Sequence, residues 1–210
     1  MSKLLIALFL SVGLTVGIFT GAFAQAAFAQ AANGKAAPEF TLKDSNGRDV
    51  SLARFKGKYV VLEWINYDCP FVNKHYSSGN MQSLQKTYMG KGVSWLSIIS
   101  SAPEQQGYYE AADVNRLSAE KKASPTAILL DQDGAVGKLY GAQTTPHMFI
   151  IDPDGVLIYQ GAIDDIRSTN PDDVAKARNY VSAALEEAMA GKPVSVPSTK
   201  SYGCSVKYQQ

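Results

Sequence analysis

Between Lys3 and Lys35 the sequence carries no charged residue at all. An apolar stretch from Leu4 to Thr20 follows the single positive charge and leads into Ala22-Phe23-Ala24 and Ala27-Phe28-Ala29, two small-x-small cleavage candidates. This is the pattern of a secretory signal peptide over residues 1–29, with cleavage expected after Ala24 or Ala29. The protein is then exported, and periplasmic in a Gram-negative cell. The alternative is an uncleaved, outward-facing membrane anchor, because the run exceeds the roughly 7–15 residues of an ordinary signal core. A buried amphipathic helix is disfavoured further, since the run is apolar on every face and shows no helical period.

An excess of either charge is also missing. The chain has 20 basic and 19 acidic side chains, and losing Lys3 with the signal leaves them balanced, so nothing points to nucleic acid. Cysteine is scarce, with only Cys69 and Cys204. The roughly 180 residues after the signal suffice for one domain with its own core, so a disulfide is not needed for folding. Two cysteines in an exported chain ordinarily read as one disulfide, yet the surroundings of Cys69 suggest something more active.

Residues 38–52 form two short alternating runs around Asn46-Gly47, which predicts a hairpin with a type I′ turn. Lys58 to Asn66 reads as a buried central strand, and Pro70 is placed to begin a helix. Strands are expected at 93–100 and 126–130, with a polar helix at 110–122 between them, so the order β-α-β-α-β implies parallel strands with helical crossovers. A short helix ending near Tyr140-Gly141 and an antiparallel hairpin from 147–152 and 156–160 follow. A helix is expected from Pro171 to Ala190 with Asn170 as its N-cap, and 191–210 reads as an irregular tail carrying Cys204. The Asp-x-Asp-Gly segments at 131–134 and 152–155 lack the ligands of a calcium loop and read as turns.

Cys69 stands where a strand's C-terminal end meets a helix N-terminus, and the helix dipole there favours thiolate while Asp68 opposes it. Six residues earlier, Glu63 interrupts the apolar run Val60-Val61-Leu62 and Trp64-Ile65. A carboxyl buried there would be an acid–base candidate for catalysis if it faced the sulfur; otherwise it is an edge residue in solvent.

The segment Val61 to Val72, Val-Leu-Glu-Trp-Ile-Asn-Tyr-Asp-Cys-Pro-Phe-Val, resembles the strand-to-active-site segment of thioredoxin-like proteins. Thr144-Thr145-Pro146-His147-Met148-Phe149 resembles the second marker of that family, a cis-proline facing the nucleophile. The resemblance spans about 37–190 and reaches the redoxin group, the alkyl hydroperoxide reductase/thiol-specific antioxidant proteins. A subgroup of it ends, like this chain at 202–208, in Tyr-Gly-Cys-Ser-Val-Lys-Tyr. It implies an α/β thioredoxin fold, a central mixed sheet flanked by helices with an N-terminal hairpin extension. It also implies Cys69 as the attacking sulfur, Glu63 as the buried acid, and Thr145 with Pro146 holding a substrate strand. Tyr67 and Phe71 are expected beside the site.

The chain departs from the family at Val72, which replaces the resolving cysteine of a Cys-x-x-Cys pair. Cys204, 135 residues downstream, is the remaining candidate, either as resolving thiol or as one end of a permanent structural bridge. The expected activity is thiol–disulfide exchange on protein thiols or disulfides, with a separate electron donor and no cofactor. A peroxiredoxin-type peroxidase acting on hydroperoxides is the alternative. Against it, Asn66 and Leu62 occupy the positions where that class carries Thr or Ser and Pro, and the sequence does not specify which arginine would hold a peroxide, Arg116 and Arg167 being the candidates. A copper-binding assembly protein on the same fold would draw on Cys69, Cys204, His75 and His147. His75 lies about 240° around a helix from Cys69. A binding protein whose cysteines never turn over completes the alternatives.

Overall fold

A computed structural model of the protein describes residues 30–209. The expected signal segment, 1–29, lies outside the described residues.

The organising element is β3, Val60–Trp64, with every residue buried. Strands buried on both faces read as continuous apolar runs rather than alternations. Val61 and Ile65 enter one hydrophobic cluster with Trp95, Ile150 and Leu185. Leu62 and Trp64 enter the opposite one with Leu96, Leu129 and Phe149. Trp64 packs edge-on against Phe149, with ring centroids 5.1 Å apart. Removing such a buried aromatic costs about 3–5 kcal/mol.

Around β3 the sheet runs β2-β1-β5-β4-β3-β7-β8. β4 (Ser94–Ile99) lies parallel to β3, and β5 (Ala127–Leu130) lies parallel to β4. β7 (His147–Ile151) and β8 (Leu157–Gly161) close the far side antiparallel. The N-terminal hairpin, β1 (Thr41–Asp44) and β2 (Asp49–Ser51), extends the sheet beyond β5. Helices α1 (Pro70–Ser77), α2 (Asn80–Gly90), α3 (Ala111–Glu120) and α5 (Tyr180–Met189) cover one face. α4 (Ala135–Tyr140) packs on the other. This is the thioredoxin-type α/β architecture that the resemblance implies, a mixed sheet flanked by helices.

Three local expectations are corrected. The hairpin turn is not type I′, which needs positive φ at both central residues; only Gly47 has it. The Asp44 carboxylate instead holds the loop, accepting from the amides of Asn46 and Arg48, both at 2.9 Å. The single helix expected from Pro171 is two elements: a 3-10 helix, Pro171–Lys176, capped by Asn170, and α5. Ala177 is extended between them, and Asn179 caps α5 by accepting from Ser182 N at 2.8 Å.

The tail is the third correction. It lacks long regular elements but is fastened along its length. Thr199 pairs with Gln160 of β8, and β9 (Cys204–Ser205) pairs antiparallel with β6 (Thr144–Thr145). Val206 N donates to Gln143 O at 3.0 Å. Tyr208 OH donates to Ala142 O at 2.7 Å. The Tyr208 ring occupies space that a side chain at Gly134 or Gly137 would fill.

Gly137→Ala should therefore unseat Tyr208, destabilise the protein by about 1–3 kcal/mol, and expose Tyr208 to chymotrypsin. Urea unfolding and limited proteolysis check this. Unchanged midpoint and cleavage would mean that the ring does not depend on that space.

Candidate active site

Cys69 is the N-cap of α1, with Pro70 at the first helical position. Pro suits that position because its missing N–H would have no partner in the helix. The loop leading to it is shaped by Asn66, whose Oδ1 accepts from Asp68 N at 2.9 Å and whose carbonyl accepts from Cys69 N at 3.0 Å. Gly107 leaves room for the Asn66 side chain, whose Nδ2 donates to Gln106 O.

The sulfur of Cys69 has no exposed surface. Its thiol donates to the carbonyl of Thr145 at 3.1 Å, and it lies 2.7 Å from the sulfur of Cys204. Both are free thiols in this structure. The Thr145–Pro146 peptide bond is cis. Thr145 is thus doubly engaged, its backbone paired with Cys204 and its carbonyl receiving Cys69. Gly203 makes the pairing possible: a Cβ there would collide with the Thr145 carbonyl. Burial, and then the neighbouring Cys69, push the Cys204 thiol up to about 12.

The other residues singled out from the sequence fall around this pair. Tyr67 is buried, packed edge-on to Tyr76 at 5.8 Å and tilted against Tyr109 at 6.2 Å, so it backs the helix rather than forming an open surface. Phe71 is half-buried and meets Tyr202 of the tail edge-on, 5.8 Å between centroids. Glu63 is wholly buried and accepts from Tyr76 OH at 2.9 Å, Trp95 Nε1 at 2.7 Å and Ser97 Oγ at 3.0 Å. Burial raises its carboxyl above the usual range, against the opposite pull of those three donors. Its connection to the Cys69 loop runs through Tyr76 and the ring of Tyr67 rather than through a direct bond to sulfur. Arg116 is exposed and engaged by Glu120 and Asp113, and Arg167 is exposed as well.

His75 and His147 are both buried. Asn80 donates to His75 Nδ1 at 2.9 Å, and Gln143 N donates to His147 Nδ1 at 3.2 Å. Among the described residues no three His, Cys, Asp or Glu side chains converge to hold a metal.

The sequence did not mark out Lys74 and Asp164, which with Tyr202 of the terminal motif form a buried charged cluster two residues from Cys204. A lysine on a helix ordinarily keeps its ammonium in water. The available signal was the terminal motif itself, with Tyr202 and Tyr208 on either side of Cys204.

The profile of the AhpC/TSA family matches residues 33–160. The thiol–disulfide oxidoreductase ResA of Bacillus thuringiensis is 31% identical over 127 residues, 60% of this chain and 68% of the relative. The chloroplastic peroxiredoxin Q of Sedum lineare is 28% identical over 138 residues, 62% of this chain and 68% of that one. A crystal structure of an uncharacterised conserved protein from Geobacillus kaustophilus superposes with a TM-score of 0.72 at 31% identity, covering 85% of this chain and 93% of that one.

Burial of the two imidazoles sets a pH dependence. Both are held down to about 4 by desolvation. The unfolded chain takes up a proton at each near 6.5. The stability that the neutral imidazoles contribute is therefore full above about 6.5 and lost as pH falls towards 4. His147→Gln removes one of the two, so the stability difference between variant and native protein should change by about one proton's slope across that window, read from urea unfolding at each pH. A constant difference from pH 4 to 7 would show that His147 titrates normally.

Proposed function

Because the chain belongs to the AhpC/TSA family, we propose that it works as a thiol–disulfide oxidoreductase in which Cys69 attacks and Cys204 resolves. It is a thiol-dependent oxidoreductase, like its ResA and peroxiredoxin Q relatives. The observation that carries the finer reading is the apposition of the two sulfurs across the Thr145 pairing, 2.7 Å apart with no second cysteine in α1.

The chemistry balances without a cofactor. The Cys69 sulfur, as thiolate, attacks one sulfur of a partner protein's disulfide, forming a mixed disulfide and releasing the partner's other thiolate. Cys204 gives its proton to the partner thiolate released in the first step and attacks the Cys69 sulfur, closing a Cys69–Cys204 disulfide and releasing the second partner thiolate, which takes a proton from water. Two electrons pass to the partner, and a separate dithiol donor restores the pair. The placement of Cys204 suits this order, because its sulfur already lies against that of Cys69, the atom it attacks, while Cys69 stands at the N-terminus of α1. Thr145 and Pro146 are assigned to holding the strand opposite Cys69, whether tail or partner. Phe71 is assigned to the rim. Glu63 is assigned to fastening α1 to the sheet through Tyr76, and Tyr67 to backing the Cys69 loop.

The domain is taken as 37–190 with 191–210 as a functional tail. Export is part of the same proposal, supported by the apolar stretch after Lys3 and its small-residue cleavage candidates.

The second reading, a thiol peroxidase, is favoured by the peroxiredoxin Q relative. Against it, the Asn66 side chain is occupied in the loop, and neither candidate arginine has a bond to the site.

Cys69→Ser should abolish exchange with a protein disulfide. Cys204→Ser should keep the first step and accumulate a mixed disulfide, visible by non-reducing mass spectrometry. Consumption of hydrogen peroxide by the reduced protein should proceed at the rate of an ordinary thiol. Full activity in Cys69→Ser, or no trapped intermediate in Cys204→Ser, would falsify the assignment, and rapid peroxide consumption would favour the second reading.

A further inference from the structure

Tyr202 lies in the tail two residues before Cys204, and its hydroxyl enters a cluster of buried charged groups. Lys74 Nζ donates to Asp164 Oδ2 at 3.0 Å, to Ile166 O at 2.7 Å and to the Tyr202 oxygen at 3.3 Å. Asp164 Oδ1 accepts from Ile166 N at 3.1 Å and from the Tyr202 hydroxyl. His75 Nε2 lies 3.4 Å from the same hydroxyl, and Asn80 donates to its other nitrogen, so the neutral ring presents an N–H to the cluster. Lys74, His75 and Asp164 are at most 2% exposed.

Ions buried to this degree need every partner, because the low-dielectric surroundings give no water to replace a missing one. Among the described residues of the tail, the hydroxyl of Tyr202 is the group that satisfies both the ammonium and the carboxylate. Lys74 and His75 belong to α1, the helix whose N-cap is Cys69, and Phe71 of the same helix meets the Tyr202 ring. The cluster therefore ties the tail to the element that carries the attacking sulfur. Only Gly203 separates this anchor from Cys204, and Gly203 is seated against the Thr145 carbonyl.

We propose that Tyr202, locked into the Lys74–Asp164–His75 cluster, is a positioning residue that holds the Cys204 sulfur against Cys69 for the resolving step. The proposal rests on the reading of Cys204 as the resolving thiol. Removing the hydroxyl keeps the Tyr202 ring against Phe71 and the strand pairing of Cys204, but takes away the tie between the tail and the Lys74–Asp164 pair and so loosens the segment next to Cys204. The Cys204 thiol then loses the high effective concentration that an intramolecular attack on the mixed disulfide depends on.

The test is a single turnover with dithiobis-nitrobenzoate, a chromogenic aromatic disulfide, followed by stopped-flow absorbance. The first nitrothiobenzoate is released in a second-order phase when Cys69 attacks. The second is released in a first-order phase when Cys204 closes on Cys69. In Tyr202→Phe the first phase should not slow, whereas the second should slow about tenfold, the scale of losing a hydrogen bond to charged groups. A second phase at the native rate, or both phases slowed alike, overturns the positioning role while leaving the cysteine assignment intact. A second phase that persists in Cys204→Ser overturns the cysteine assignment itself and the positioning role with it. If Tyr202→Phe loses its native near-ultraviolet dichroism, Asp164→Asn is put through the same measurement. A selectively slowed second phase supports the role, and any other pattern overturns it.

Discussion

Two backbone pairings, Thr144 with Ser205 and Thr145 with Cys204, bring together sulfurs that are 135 residues apart. Everything distinctive about the site follows from this short ladder. A sheet edge that ends in a proline cannot continue as an ordinary strand, because the proline nitrogen has no hydrogen to donate. The tail takes up the backbone groups that β6 presents just before Pro146, and in doing so it delivers its cysteine to the N-terminus of α1. The glycine before that cysteine is required by contact rather than by flexibility, since any side chain there would meet the Thr145 carbonyl.

The sheet supplies the rigidity that this arrangement needs through buried polar chains rather than apolar contact alone. Trp64 Nε1 donates to Ser100 Oγ at 2.9 Å, and Ser100 in turn donates to Asp131, whose carboxylate accepts from the amides of Val136 and Gly137 in the first turn of α4. Asp131 thereby links the ends of β3, β4 and β5 to the helix that receives Tyr208. Glu63 does the same on the opposite face, joining β3, β4 and α1 through Ser97, Trp95 and Tyr76. Satisfied networks of this kind fix one arrangement, because each alternative leaves a group unpaired in a low-dielectric interior.

Much of this was legible in the sequence. The continuous apolar run at 60–65, the Cys69-Pro70 junction and the alternation of strand and helix announce the parallel core and its nucleophile directly. Glu63 stands out because a carboxylate in such a run must be paired. The break between residues 177 and 179 was hidden because Pro171 and Asn170 already supply a complete helix start, and nothing local says that Asn179 supplies another. The I′ turn failed for a related reason: Asn46-Gly47 fits that turn, but the Asp44 side chain favours a loop in which only the glycine needs positive φ. The tail was the least legible part. Its composition reads as irregular, and its order comes from partners far away in sequence, Lys74, Asp164, Gly134 and Gly137, that no local pattern connects to it.

A sulfur with no exposed surface can meet a substrate only during the moments when its own tail has lifted. An occupancy of about one per cent for the lifted state lowers the apparent affinity for any ligand about a hundredfold. That penalty is the same for every reagent, but its recovery is not. An extended polypeptide can restore to Thr145 the backbone pairing that the tail gave up, while a small oxidant or a free thiol restores none. Discrimination between extended strands and small reagents would in that case need no recognition pocket, because the tail's own pairing sets the standard that an incoming strand has to match.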